Sequence, residues 1–117
     1  AGASWERQEG VLRCLALLAE HSEEMRQSIA GGGAVPLIQS ALAAETHPAV
    51  QAAACTCLRG LSRSVLNLRT HLADADVAPR LLRCLRPALS RDLQAEALAA
   101  AANLLLPCSS LREQLLA

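Results

Sequence analysis

Apolar residues recur along the chain at helical spacing. One run, "CLRGLSRSVLNLRTHL" (57–72), carries leucine and valine at 58, 61 and 65, meets the polar elbow "SRS", and restarts without Gly or Pro. Spacings of three and four place side chains on one face of a helix. Displacing the sequence by 43 positions aligns this pattern with itself. Leu18, Leu61 and Leu104 coincide, as do Met25, Leu68 and Leu111, then Ile29, Leu72 and Leu115. Arg26, Arg69 and Arg112 share a position, as do Gln8, Gln51 and Gln94. Pro36 matches Pro79, Ile38 matches Leu81, and Leu42 matches Leu85. Leucine coincidences come cheaply in such a chain, but recurrent Pro, Arg and Gln do not.

Each period predicts three helices. The longest is expected to start at Ser4, at His47-Pro48 and at Ser90, and to run to about 21, 62 and 106. Serine accepts backbone N–H groups at a helix start, and proline fits the first helical position. A short helix is expected near 23–30, 65–73 and 111–117, with Ser110 and Glu113 at capping-box spacing. A middle helix follows "GGG" (31–33) or "DAD" (74–76), has Pro36 or Pro79 in its first turn, and ends near 42 or near 87. The elbow "SRS" then lies where one unit's long helix hands over to the next unit's short helix. Ser62 and Ser64 are placed to satisfy backbone groups at that corner.

The expected division is a long helix over 4–21, one unit over 22–64, a second over 65–107, and the start of another over 108–117. Both ends cut through a unit and the start lacks an initiator Met, so the sequence reads as a stretch of a longer polypeptide.

Composition narrows the fold class to all-α. The chain is 52% hydrophobic but 1% aromatic, with Trp5 the single aromatic residue. A core of Leu, Ala, Val and Cys suits closely packed helices better than sheets. Eleven basic and eleven acidic residues cancel, so no overall field selects nucleic acid or an anionic membrane. No apolar run approaches the roughly 20 residues that span a bilayer. Cys14, Cys55, Cys57 and Cys84 fall in apolar helical stretches, and buried reduced thiols in a cytosolic or nuclear protein explain them most simply.

The order of short helix, middle helix opening in "GAVPLI", then long helix resembles armadillo repeats across essentially the whole chain. The stretch "EEMRQSIAGGGAVPLIQSAL" (23–42) is similar to the start of such a repeat. "LRGLSRSVLNLRT" (58–70), followed by "AANLLLPCSSLREQLL" (101–116), resembles more narrowly the armadillo-repeat subunit family of the GID/CTLH E3 ubiquitin ligase, in its C-terminal half. The likeness is strongest at 61–65, 68–70 and 103–106, while 73–95 departs toward Ala, Arg and Leu. The resemblance implies a right-handed α-solenoid with three helices per unit of about 43 residues. It also implies a non-catalytic scaffold that bridges a substrate receptor and the core of a multi-subunit ligase, in cytoplasm and nucleus.

The chemistry-bearing residues favour no other class. Cys55-x-Cys57 is the only close cysteine pair, and residues two apart on a helix diverge, so no metal site and no cofactor is expected. No nucleophile elbow or Cys–His arrangement is present, and "GGGA" (31–34) lacks the Lys and Ser/Thr of a phosphate loop. No enzymatic activity is expected. His21, His47 and His71 sit at predicted helix ends, as surface or capping residues. Arg80, Arg83, Arg86 and Arg91 cluster without stacking aromatics, and a solvated face with snorkelling stems fits them better than a nucleic-acid stripe.

Protein binding remains, with no small-molecule ligand, nucleic acid or membrane partner expected. In armadillo receptors for basic peptides a Trp/Asn ladder lines the long helices. Here Asn103 fits that pattern, but Leu17 and Gly60 replace its equivalents, and Arg13, Thr56 and Ala99 stand at the Trp positions. That disfavours an adhesion or nuclear-transport adaptor, the alternative within the class. Helical spacing instead selects Arg13, Glu20, Thr56, Arg63, Glu96 and Asn103 as a mixed-charge groove on the concave face. Arg13 and Arg63 are expected either to hydrogen-bond a partner's carboxylates or carbonyls, or to remain solvated.

Overall fold

A computed structural model describes residues 4–43, 46–72, 76–86, 90–106, 109 and 111–116. The described residues are helical, with no strand among them. Three long helices, α1 (Trp5–Ala19), α4 (Pro48–Leu61) and α7 (Arg91–Leu104), begin 43 residues apart. Between them lie the short helices α2 (Glu23–Ile29) and α5 (Val65–Arg69) and the middle helices α3 (Val35–Ala41) and α6 (Ala78–Arg83). A last short helix, α8, spans Arg112–Leu116. The middle helix α3 ends one residue before 42, and α6 ends four residues before Pro87, which itself lies outside the described residues.

Local chemistry sets the starts. Ser4, Ser22, Ser64 and Ser90 each accept the backbone N–H three residues on, from Arg7, Met25, Asn67 and Leu93. His47 replaces serine before α4, its Nδ1 accepting the Ala49 N–H at 3.0 Å. The His47 ring also stacks on Trp5, with centroids 3.9 Å apart and planes 5° apart, bracing the starts of α1 and α4 together. Between α2 and α3, Gly33 takes φ 105°, a left-handed conformation in which glycine carries no Cβ penalty. The chain thereby turns from α2 into α3 across Ala30–Ala34 with little intervening loop. In the next unit Ala73, Asp74 and Ala75 lie outside the described residues, as does the expected cap Ser110.

The recurrent Gln positions have a structural reason. Gln51 Nε2 donates to the Ala43 carbonyl at 2.9 Å, and Gln94 Nε2 donates to the Arg86 carbonyl at 2.6 Å. Donors and acceptors are both 43 residues apart. In each unit the long helix thus ties down the chain leaving its middle helix, a carbonyl that helix geometry leaves unpaired.

α1 packs along α4, and α4 along α7, so α4 is enclosed on both sides. Leu58 and Leu61 are fully buried, as are Ile38 of α3, Leu81 of α6 and Leu93 and Leu104 of α7. Each such side chain contributes about 1.5–3 kcal/mol through lost contact with water.

The cysteines divide. Cys55, Cys57 and Cys84 are buried, whereas Cys14 is exposed and departs from the expected buried set. Cys14 lies 43 residues before Cys57, but α1 has no described long helix on its other side. Burial pushes the Cys57 thiol up to about 12. A hydrogen bond with Cys84, then burial, raises that of Cys55. Cys55 therefore faces α6, and Cys55 and Cys57 behave as small core residues.

Candidate protein-interaction cleft

The "SRS" elbow is a packed corner. Ser62, Ser64 and Asn67 are each 0% exposed. Ser62 Oγ donates to the Arg59 carbonyl at 2.9 Å, and Ser64 Oγ donates to Glu23 Oε2 at 2.6 Å. Asn67 Nδ2 donates to the carbonyls of Leu61 and Arg26, both at 3.1 Å. The corner thus clamps α4, α5 and the preceding α2 through the buried Ser62 and Ser64 hydroxyls and the Asn67 Nδ2, while Asn67 Oδ1 has no hydrogen-bond partner among the described residues. Hydrogen bonds from Gln27 and then Ser64 hold the Glu23 carboxyl below its ordinary value.

The same corner builds one wall of a cleft. Asn103 on α7 reaches back to α4, its Nδ2 donating to the Arg59 carbonyl at 3.0 Å and to Ser62 Oγ at 3.1 Å. Opposite, α1 and α4 close on each other at Gly60, where a Cβ would stand 3.2 Å from Ala19 Cβ and 3.6 Å from the Ala16 carbonyl oxygen. Glycine at this point lets α1 approach. Between these two contacts lies a cleft of about 180 Å³, lined by Ala16, Glu20, Thr56, Arg59, Gly60, Arg63 and Asn103.

Of the six residues selected by spacing, Glu20, Thr56, Arg63 and Asn103 line this cleft. Glu96 joins through Thr56, whose hydroxyl donates to Glu96 Oε2 at 2.7 Å, with the Ala52 carbonyl 3.0 Å away sharing the proton. That bond ties α4 to α7. Arg13 does not line the cleft; it pairs with Glu9 at 3.2 Å, one turn back on exposed α1.

Arg59 was missed by the sequence reading. It lies in the last turn of α4, whereas Arg63 lies two residues past that helix's end, and the helical spacings that selected Thr56 and Arg63 pass over it. Neither guanidinium has an ion pair among the described residues, whereas Arg13, Arg26 and Arg80 pair with Glu9, Glu23 and Asp76.

The arginine cluster near α6 is only partly a solvated face. Arg80 is half-buried, and its Nη1 donates to the Gln39 carbonyl of α3 at 2.9 Å. Asp76 approaches its Nε at 3.3 Å as a charge contact without hydrogen-bond alignment. Arg80 therefore joins the two middle helices, while Arg86 and Arg91 are exposed. Among the described residues no group of three or more His, Cys, Asp or Glu is placed to hold a metal ion, and no helix is long and apolar enough to cross a membrane.

No protein-family model matches the sequence. No solved structure matches it either. A curated protein does: GID complex subunit 5 of Schizosaccharomyces pombe (strain 972 / ATCC 24843) is 42% identical over 108 residues. The match takes in 92% of this chain, while the chain spans 13% of that relative's length. Over nearly its whole length, this sequence is similar to a subunit of the GID complex.

Proposed function

We propose that the chain belongs to the GID complex subunit 5 family and serves as a non-catalytic protein-interaction scaffold in a multi-subunit ubiquitin ligase of cytoplasm and nucleus. The observation that carries this reading is the 42% identity over 108 residues to a GID complex subunit. The fold reading that accompanies it is a right-handed armadillo-type solenoid, with units over 22–64 and 65–107. Long helices starting 43 residues apart and packed in series support it, as do the paired Gln bonds to the ends of the middle helices. Units that bury their faces only against neighbours create extended surfaces suited to partner chains. The cleft across α1, α4 and α7 is the candidate surface, facing a substrate receptor or a core subunit.

The test is affinity purification of the tagged protein from its own cells at natural abundance, with mass spectrometry of what co-elutes. RING-type ligase subunits at near-stoichiometric levels are the expected outcome. Adhesion-receptor tails or basic nuclear cargo in their place would overturn the ligase assignment.

A further inference from the structure

The cleft across α1, α4 and α7 is too small for a metabolite of ordinary size. Its volume of about 180 Å³ falls below the roughly 300–1,000 Å³ of small-molecule pockets. It suits one or two side chains of a longer partner. Its floor is held by the Asn103 bonds to Arg59 and Ser62 and by the close approach at Gly60. Arg59 and Arg63 stand over it, exposed and without an ion pair among the described residues. Glu96 is occupied by Thr56, which leaves Glu20 as the one cleft-lining acid against two guanidinium groups.

We propose that this cleft holds an extended acidic segment of a partner protein, with Arg59 and Arg63 each hydrogen-bonding one of its carboxylates. The two guanidinium groups share one rim: Arg59 sits in the last turn of α4, Arg63 lies two residues past its end, and both line the cleft. Alternate residues of an extended chain, which share one face, are roughly 6.5 Å apart. Carboxylates at alternate positions therefore stand on one side of the segment, toward the rim that carries both guanidinium groups, and charge assistance makes such bonds strong. Glu20, at the α1 side, is placed to accept from a main-chain N–H of the same segment. An RNA strand is disfavoured, because Glu20 would face its phosphates and the cleft offers no ring for a base to stack on. The inference rests on the scaffold reading and adds to it the chemistry of the bound segment.

The experiment is fluorescence anisotropy of the full chain at low ionic strength, where screening is weak. The probes are rhodamine-labelled peptides of repeating Ser-Glu, Ser-Gln and Ser-Lys, together with labelled oligouridine. The Ser-Glu peptide is expected to bind at least about tenfold more tightly than the other probes. The double variant R59Q/R63Q, checked for unchanged helicity, is expected to lose about tenfold for that peptide. R83Q/R112Q, which removes the same charge elsewhere, is expected to change it less than about twofold.

Equal binding of Ser-Glu and Ser-Gln, stronger binding of oligouridine, or equal losses in the two double variants would each overturn the proposal. The comparison of peptides on the unaltered chain needs no variant to fold. Failure here with RING-type subunits still co-eluting sinks the cleft and leaves the scaffold. The reverse pattern sinks the ligase assignment and leaves the cleft.

Discussion

Helices α1 and α4 begin 43 residues apart, carry leucine at the same last-turn position, and end in very different surroundings. Leu18 on α1 is 46% exposed, and its equivalent Leu61 on α4 is 0% exposed. Val11 is 47% exposed while Ala54, its counterpart, is fully buried. Cys14 is open and Cys57 closed. The difference is not in the residues, which are alike or smaller on α4, but in neighbours: among the described residues α4 has a long helix on each side and α1 on one. In a stacked array a position's energetic weight is set by its place in the stack.

Matched substitutions should break that equivalence most sharply at the leucines. Leu61→Ala is expected to lower stability by about 3 kcal/mol, since a fully enclosed leucine leaves a cavity as well as losing transfer energy. Leu18→Ala should cost under about 1 kcal/mol, and urea midpoints of the two variants give the comparison directly. Equal midpoint shifts would mean that α1 is covered in solution.

Thiol reactivity sharpens the same contrast without altering the chain. Cys14 should be alkylated more than about a hundredfold faster than Cys57, which reacts only after opening and whose thiol is pushed up to about 12. Mass spectrometry of timed alkylation reads both rates.

At Gly60 the contrast concerns approach rather than burial. Gly60→Val should cost about 1–3 kcal/mol, because its side chain would enter space held by Ala19 and the Ala16 carbonyl. Leu17→Val, at the equivalent exposed position of α1, should change stability by less than about 0.5 kcal/mol. Thermal midpoints distinguish the two.

Among the buried positions the smallest expected effect lies at the corner. Ser64→Ala removes the α5 cap at a cost of about 1 kcal/mol. It also frees Glu23 from one of the hydrogen bonds that depress it, so the Glu23 carboxyl should titrate closer to its ordinary value by NMR. Because that pKa is depressed in the folded chain, its contribution is present above the unfolded value and is lost as pH falls through the folded one. The variant should therefore show a weaker loss of stability over that acid range.

How much of this was legible depended on whether the cause was local. Caps are made within three residues, so Ser4, His47, Ser64 and Ser90 could be read as starts from the sequence, and Pro36 and Pro79 as first-turn residues. The period itself was legible because repeated contacts demand repeated residue types. Gln51 and Gln94 recur since each unit has the same free carbonyl to tie down. Four of the six groove residues reach the cleft because positions at the ends of α1 and α4, and on α4 and α7, come together where these helices pack side by side.

The remainder turned on which helices meet. Arg13 carried the same spacing signal as Thr56, yet a nearby Glu9 holds it on exposed α1. Arg80 read as one of a solvated cluster, but only the stacking of α6 beside α3 brings the Gln39 carbonyl within its reach.

The sequence by itself determined an all-helical chain of period 43, the positions of its helix starts, and the polar identity of its corners. All of these arise from contacts within a few residues or from a pattern that repeats. Only the tertiary structure decided which of three equivalent faces is buried and that Asn103 bonds to Arg59 and Ser62. It likewise decided that Gly60 lets α1 close on α4, and that Arg59 and Arg63, with no ion pair among the described residues, stand over the resulting cleft. Those outcomes depend on the separation and register of helices some 40 residues apart, which side-chain spacing along one helix does not encode.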